Sequence, residues 1–168
     1  MSRDLKLDHP LPLGKGLAFM RTLWQLNHAI ERISRAMERS LGITAQQRMI
    51  VRCVGKFPGM TSGQLAAQLH LDAGTISTAL GRLERKGLLD RRRDPKDRRR
   101  VALGLTAAGR AIDHPATGTI EAAVDNLIES SQPTDLSIAR TIVESLTRLI
   151  EAESVRLTDP KRRRPPAD

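Results

Sequence analysis

Cysteine, aromatic residues and long apolar runs are all scarce in this sequence of 168 residues. Its single cysteine, Cys53, excludes an intramolecular disulfide and any zinc site built from several cysteines. Phe19, Trp24 and Phe57 are the only aromatic residues, which argues against a platform on which nucleic-acid bases stack. No segment approaches the roughly 20 apolar residues of a membrane span, and the N-terminus lacks the apolar core of a secretion signal. The sequence therefore predicts a cytoplasmic protein with no membrane segment.

Catalytic and metal-binding motifs are also missing. The sequence has no G-x-S-x-G, no G-x-x-x-x-G-K-[ST] and no H-E-x-x-H, and its four histidines are dispersed. Acidic pairs such as Asp94 and Asp97 lie among arginines, where carboxylates stay ionised and are poor proton donors. We therefore predict that the protein is not an enzyme and that it uses no cofactor or metal.

Positive charge, in contrast, is abundant and concentrated. The chain has 28 lysine and arginine residues against 19 acidic residues, a net charge of +9. Residues 82–100 hold ten of these cations and four of these acidic residues, so most of the excess charge lies in one short stretch. A concentrated positive field attracts phosphates, whereas a dispersed field mainly aids solubility. Double-stranded DNA is therefore the predicted partner, ahead of an anionic membrane surface.

Apolar residues at helical spacing predict a long amphipathic helix over residues 17–41. Two shorter helices follow, from Thr44 and from Thr61, each with a glutamine three residues later that completes a capping box. Barely three residues separate the second of them from a helix over residues 73–86, which Asp72 is placed to cap. The pattern predicts two helices joined by a very tight turn.

The outward face of that last helix is made of small or polar residues, apart from one arginine. Its members are Ala73, Gly74, Thr75, Ser77, Thr78, Gly81 and Arg82. A solvated helix usually carries glutamate and lysine here, and Gly81 costs about 1 kcal/mol relative to alanine in a helix interior. We interpret the small side chains as a surface that enters the groove of a duplex; the alternative is a weak helix that faces only solvent.

Beyond Gly87 the apolar period changes from helical to alternating. Val101, Leu103 and Leu105 predict a strand with one buried face, and residues 88–93 can be its antiparallel partner. The connection has aspartate and proline at turn positions, which predicts a β-hairpin with arginines at its tip. Helix, tight turn, helix and hairpin together form a winged helix-turn-helix, whose second helix enters the major groove.

The hairpin arginines suit a narrow, electronegative minor groove. Asp97 lies two residues from Arg99 and can hold that guanidinium in one orientation. A salt-bridged, solvated turn is the alternative reading. With Thr61 from the preceding helix, the hairpin adds these candidate DNA contacts: Arg92, Arg93, Lys96, Asp97, Arg98 and Arg99.

Thr106 can cap a further helix, and Pro115 with Gly118 predicts a break over residues 113–119. Two more amphipathic helices follow. The winged helix-turn-helix is too small to cover the apolar stripes of three long helices, so we expect pairing with a second copy. Both ends of the chain, residues 1–16 and 157–168, are predicted to be flexible.

The segment LDAGTISTALGRLERKGLLDRRRDPKDRRRVALGLTAAGRAI resembles the signature of the MarR (multiple-antibiotic-resistance regulator) family, through RLERKGLL, DPKDRR and LT-x-x-G. The resemblance extends over about residues 17–155. It implies a mainly α fold with a small β-hairpin wing: a DNA-binding lobe at 44–105, flanked by dimerisation helices at 17–43 and 106–156. By position, Asp97 and Arg99 match the wing's D-x-R pair. Gly74, Gly81 and the Pro115–Gly118 interruption depart from the family's pattern.

The resemblance also implies a function. It implies a homodimeric, sequence-specific transcription regulator that represses pseudo-palindromic operators and is released by a small anionic or aromatic effector. Family ligands often bind between the dimerisation helices and the DNA-binding lobe, which makes Trp24, His28, Arg48, Arg52 and Cys53 candidate effector contacts. A buried structural thiol and an interface histidine are the alternative readings of Cys53 and His28. A sequence-indifferent architectural DNA-binding protein and a protein-interaction module are the rival functions.

Overall fold

A computed structural model describes residues 13–93 and 101–158. Its elements are α1 Lys15–Leu41, α2 Ala45–Lys56, α3 Ser62–Leu69, α4 Ala73–Arg85, β1 Leu89–Arg93, β2 Val101–Leu105, α5 Ala107–Ile112, α6 Ile120–Ser130 and α7 Pro133–Thr158. The predicted fold class, mainly helical with a small β-hairpin, is confirmed. The chain forms two compact units, which divide between Ala122 and Ala123.

The predicted caps set the starts of four short helices. Thr44 and Thr61 each accept a hydrogen bond from the amide of the glutamine three residues on, and each glutamine side chain accepts one from the amide of its threonine. Asp72 and Thr106 cap α4 and α5 in the same way, without the reciprocal bond. These bonds satisfy amides that would otherwise be unpaired at helix starts.

The core of the first unit lies between α2, α3, α4 and the hairpin. Met60 and Leu65, which lie on either side of the α3 N-terminus as a hydrophobic staple does, are both buried in it. Its buried members are Ile43, Ile50, Val51, Val54, Met60, Leu65, Ile76, Ala79, Leu80, Leu83, Leu89, Leu103 and Leu105.

The hairpin pairs β1 with β2, with Leu89 opposite Leu105 and Arg93 opposite Val101. β2 is also hydrogen-bonded to the segment before α3: the amide of Leu103 donates to the carbonyl of Met60 at 2.8 Å. The expectation that Val101 belongs to the buried face is wrong: it is 41% exposed, whereas Leu103 is 2% exposed. Val101 lies at the end of the ladder remote from the core, so only the half of the hairpin beside the helices has a buried face.

The predicted break between α5 and α6 is confirmed, and Gly118 within it has a φ of 72°. Arg48 of α2 holds this segment: its buried guanidinium donates to the Glu121 carboxylate, to the carbonyl of Ile112 at 3.1 Å and to that of His114 at 2.7 Å. Arg52 adds an ion pair to Asp113 at 2.7 Å. The break is therefore tied to α2 through the side chains of Arg48 and Arg52.

The long helices leave most of their large apolar residues exposed. α1 buries only Met37, and α6 and α7 bury no residue fully. The exposed residues are Leu17, Phe19, Met20, Trp24, Leu26, Ile30 and Leu41 on α1, and Val124, Leu127, Ile128, Ile138, Ile142, Val143, Leu149, Ile150, Val155 and Leu157 on α6 and α7. Among the described residues, no helix has the length and apolar character that crossing a membrane requires.

Candidate nucleic-acid interface

The turn between α3 and α4 consists of His70, Leu71 and Asp72. His70 ends α3 with a φ of 50°, in the left-handed region, and the amide of Leu71 donates back to the carbonyl of Ala66 at 3.0 Å. Asp72 then starts α4 by accepting a hydrogen bond from the amide of Thr75 at 2.8 Å. The predicted tight turn is confirmed, and it holds α4 against α3.

Asp72 also accepts a hydrogen bond from the Thr75 hydroxyl. This bond, followed by the one from the Thr75 amide, lowers the pKa of Asp72 below its ordinary value. The ionised carboxylate is favourable at the positive end of the helix dipole. The Thr75 hydroxyl thus donates its hydrogen within the protein. The described residues offer the hydroxyls of Ser77 and Thr78 no such partner, so those two can donate outward.

α4 has a buried face and a face directed to solvent. The buried side chains are Ile76, Ala79, Leu80 and Leu83. Of the sequence-predicted contacts, Ala73, Gly74, Ser77, Thr78 and Arg82 are exposed and Thr75 is half-buried. The structure therefore places the predicted reading residues on one accessible surface, and no bulky apolar group protrudes among them.

The two glycines of α4 differ in what surrounds them. A Cβ at Gly74 would lie 3.1 Å from the capping oxygen of Asp72, so the cap itself favours a small residue there. A Cβ at Gly81 would meet nothing within 4 Å. Packing within the described residues therefore gives no reason for glycine at position 81, whereas close approach of a partner does.

Two grooves border α4, and each begins at a helix start. One of about 410 Å³ lies beside the first turn of α2 and is lined in part by Gln46, Thr78 and Arg82. The other, of about 140 Å³, lies beside the first turn of α3 and is lined in part by Ser62 and Arg91. Sequence reasoning missed Gln46 and Ser62, although the capping boxes that precede them mark first turns, where amide groups can bind phosphate.

Thr61, a predicted DNA contact, is half-buried. Its hydroxyl oxygen already accepts the amide hydrogen bond of Gln64 at 3.2 Å. Its role within the chain is thus to start α3, and the exposed Ser62 lies next to it on the solvent side.

The wing positions its arginines by carboxylates on both faces of the hairpin. Arg91 pairs with Glu84 of α4 at 2.8 Å, and Arg92 pairs with Asp90 of its own strand at 2.6 Å. Arg93 is exposed at the end of β1. The other wing contacts predicted from sequence lie outside the described residues: Lys96, Asp97, Arg98 and Arg99.

The candidate effector residues do not share one environment. Trp24 is 57% exposed on α1, and His28 on the same helix is exposed with its Nδ1 3.8 Å from Glu31. Arg48 is 2% exposed, and Glu121 and two carbonyls already accept from its guanidinium. Arg48 therefore serves the packing of the break and has no donor directed to solvent.

Arg52 and Cys53, in contrast, line one groove of about 620 Å³ together with Met49, Phe57 and Asp113. Burial raises the pKa of the Cys53 thiol, and the charge of nearby Lys56 offsets this only in part. The thiol is therefore protonated at neutral pH and a poor nucleophile. Within residues 13–93 and 101–158, no group of His, Cys, Asp or Glu is arranged to hold a metal ion.

Known proteins resemble this chain in both sequence and fold. The sequence model of the MarR family matches residues 43–101. The organic hydroperoxide resistance transcriptional regulator of Bacillus subtilis is 30% identical over 117 residues, which cover 67% of this chain and 78% of that protein. The multiple antibiotic resistance protein MarR of Salmonella typhimurium is 32% identical over 105 residues, 61% of this chain and 67% of that one. The crystal structure of Streptococcus pneumoniae FabT in complex with DNA aligns with a TM-score of 0.62 at 25% identity, covering 83% of this chain and 99% of FabT.

Proposed function

The chain belongs to the MarR family of transcription regulators, and from that premise we propose that it is a homodimeric, sequence-specific DNA-binding repressor of pseudo-palindromic operators. One observation carries the proposal. The exposed face of α4 carries small and hydroxyl side chains together with Arg82 and Arg85, and Arg91 of the wing borders it. Such a surface fits the major groove closely and meets phosphates with positive charge.

Within that surface the residues have different roles. Ser77 and Thr78 are exposed hydroxyls on the middle of α4 and contact base edges, which carry the sequence information. Arg82, one turn later, contacts a guanine or a phosphate. The wing arginines approach the flanking minor groove and the phosphates that border it. The related FabT was solved in complex with DNA, which supports this assignment by similarity.

Dimerisation supplies the second half-site. The apolar residues of α1, and separately those of α6 and α7, are too extensively exposed for a monomer in water. A second copy that covers them would present two α4 helices to the same duplex. Half-sites about 34 Å apart, one helical turn, match such a pair.

A small anionic or aromatic effector would bind in the groove at Arg52 and Cys53. Met49 and Phe57 give that groove apolar walls, and Arg52 and Lys56 give it positive charge. Asp113, paired to Arg52 at 2.7 Å, would have to yield its cation to an incoming carboxylate. Asp113 is the first residue of the break after α5. Loss of its ion pair with Arg52 would therefore loosen the contact between α2 and the break, and we expect this to release the operator.

Selection of duplexes from a random pool by the purified protein tests the DNA-binding proposal. We expect a pseudo-palindrome, and a log affinity that falls with log salt at about −0.9 per neutralised phosphate. Recovery of random sequences with the same salt slope would favour an architectural DNA-binding protein instead. Absence of any salt-sensitive duplex binding would favour a protein-interaction module.

Two substitutions separate base reading from phosphate contact. Ser77→Ala should change which selected sequences are preferred, because it removes a group that contacts base edges. Arg99→Ala should weaken binding to all sequences and reduce the salt slope by about one. If the sequence preference stays the same in the first variant, Ser77 has no base-reading role.

A further inference from the structure

On the outer face of the hairpin, Asp90 of β1 lies directly opposite Gly104 of β2. A Cβ at position 104 would lie 2.8 Å from Asp90 Oδ1, closer than two such atoms can approach. The Asp90 carboxylate therefore lies in space that exists only because residue 104 is glycine.

The two oxygens of this carboxylate have unequal environments. Oδ1 is buried, and no residue that the structure describes donates a hydrogen bond to it. Oδ2 accepts two hydrogen bonds from Arg92, from Nε at 3.0 Å and from Nη2 at 2.6 Å. A buried carboxylate oxygen without a donor is unfavourable, and an acidic group on a DNA-binding surface repels phosphate. Asp90 is thus unfavourable in both respects, and the contact that compensates is the one with Arg92.

Arg92 is held but not covered. Its side chain is 70% exposed, and Nη1 has no partner among the described residues. The bond to Asp90 raises the pKa of Arg92, so the guanidinium stays charged. Arg93, one residue further along the same strand, forms no ion pair with any described residue and provides a natural comparison.

We propose that Asp90, accommodated by Gly104, is a positioning residue for DNA binding that fixes the guanidinium of Arg92 for contact with a backbone phosphate. A guanidinium binds phosphate best through two parallel hydrogen bonds, which require its plane to be set. Fixing that plane before binding reduces the side-chain entropy lost on association. The inference rests on the proposed function, since it assigns Arg92 a contact in the same DNA complex.

Asp90→Ala gives a test whose sign is informative. By charge alone, removal of an acidic residue beside DNA should tighten binding. If Asp90 positions Arg92, Asp90→Ala should instead weaken operator binding by about five-fold, because the freed guanidinium must be ordered on association. The measurement is operator affinity by fluorescence anisotropy, with unfolding midpoints checked to exclude a folding defect.

Gly104→Ala tests position without any change of charge. The new methyl group would displace the Asp90 carboxylate, whose end is flexible, and we expect the same weakening of about five-fold. When Arg92 is already alanine, Gly104→Ala should have no further effect on operator affinity, and Asp90→Ala should no longer weaken binding. Both should add independently to Arg93→Ala, which serves as the matched control.

A second readout does not depend on DNA. The Nε proton of Arg92, followed by NMR, should exchange slowly with water in the wild-type protein and in Arg93→Ala. It should exchange quickly in Asp90→Ala and Gly104→Ala. If the wild-type protein binds its operator and Asp90→Ala binds as tightly or more tightly, the positioning role is overturned. If the wild-type protein binds no duplex while the Arg92 resonance is protected, the proposed function fails, and the DNA role of Asp90 fails with it.

Discussion

The DNA-binding lobe and the long helices differ in whether their apolar residues are buried. In the lobe, Leu65, Leu80 and Leu83 are completely buried by their own chain. On the long helices, Trp24 is 57% exposed and Leu149 is 64% exposed. Burial of apolar surface is the main stabilising term in folding, so the lobe is stabilised by its own core. The long helices, in contrast, leave apolar surface uncovered within the chain, which is typical of an interaction surface. Under the proposed function, folding depends mainly on the lobe, and pairing with a second copy depends on the long helices.

The largest expected effect breaks the assembly. Trp24→Glu places a charge on the apolar face of α1, and we expect the dimer to dissociate at micromolar protein. Loss of the second half-site contact should weaken operator binding by about 100-fold or more. Light scattering and anisotropy measure the two effects. Gln25→Glu, its exposed neighbour, is the control with the same added charge; a dimeric Trp24→Glu protein would contradict the comparison.

The next effect is on the lobe alone. Leu80→Ala removes a fully buried side chain and should lower the free energy of unfolding by about 2–5 kcal/mol, measured in urea. Ile142→Ala, on the 49% exposed side chain of α7, is the matched substitution and should act mainly on the dimer. Its effect should therefore depend on protein concentration. If Ile142→Ala lowers the free energy of unfolding equally at every protein concentration, its side chain stabilises the monomer, and the lobe and the long helices do not differ in this respect.

A smaller effect has the opposite sign. Gly81→Ala should raise the free energy of unfolding by about 0.5–1 kcal/mol, because alanine is the better helix residue and its Cβ meets nothing in the chain. The same variant should bind the operator less tightly if DNA approaches this face. A stabilised protein with unchanged operator affinity would show that Gly81 is only a weak helix position.

The smallest effect is the pH dependence of the α4 cap. The folded state lowers the pKa of Asp72, so its contribution to stability is present above the ordinary carboxyl pKa and is lost as pH falls through the folded value. Asp72→Asn keeps a capping oxygen without charge. The gap in melting temperature between wild type and Asp72→Asn should therefore narrow on acidification from pH 7 to pH 3. If the difference in melting temperature stays constant with pH, the charge of Asp72 does not contribute to the stability of the cap.

Local signals explain why so much of the lobe could be predicted. The caps at Thr44, Thr61 and Asp72 depend on bonds three residues apart, and the break near Gly118 depends on backbone preference. Which residues of α4 are exposed follows from helical periodicity. These features need no knowledge of the remainder of the chain.

Contacts between distant residues could not be predicted. Arg48 was expected to contact an effector, yet Glu121, 73 residues later, and two carbonyls already accept from its guanidinium. The space that Gly104 leaves for Asp90 depends on strand register, which periodicity alone leaves open. Val101 has the spacing of a core residue and is exposed, because burial is set by what lies opposite.

The amino-acid order by itself determined the helix starts, the tight turn, the hairpin and the concentration of positive charge, since each is a matter of neighbouring residues. Tertiary structure alone decided which arginines are occupied within the protein and which remain accessible to a partner. The reason is that a guanidinium is satisfied by whichever carboxylates and carbonyls the fold brings within hydrogen-bonding distance, and those acceptors can come from anywhere in the chain.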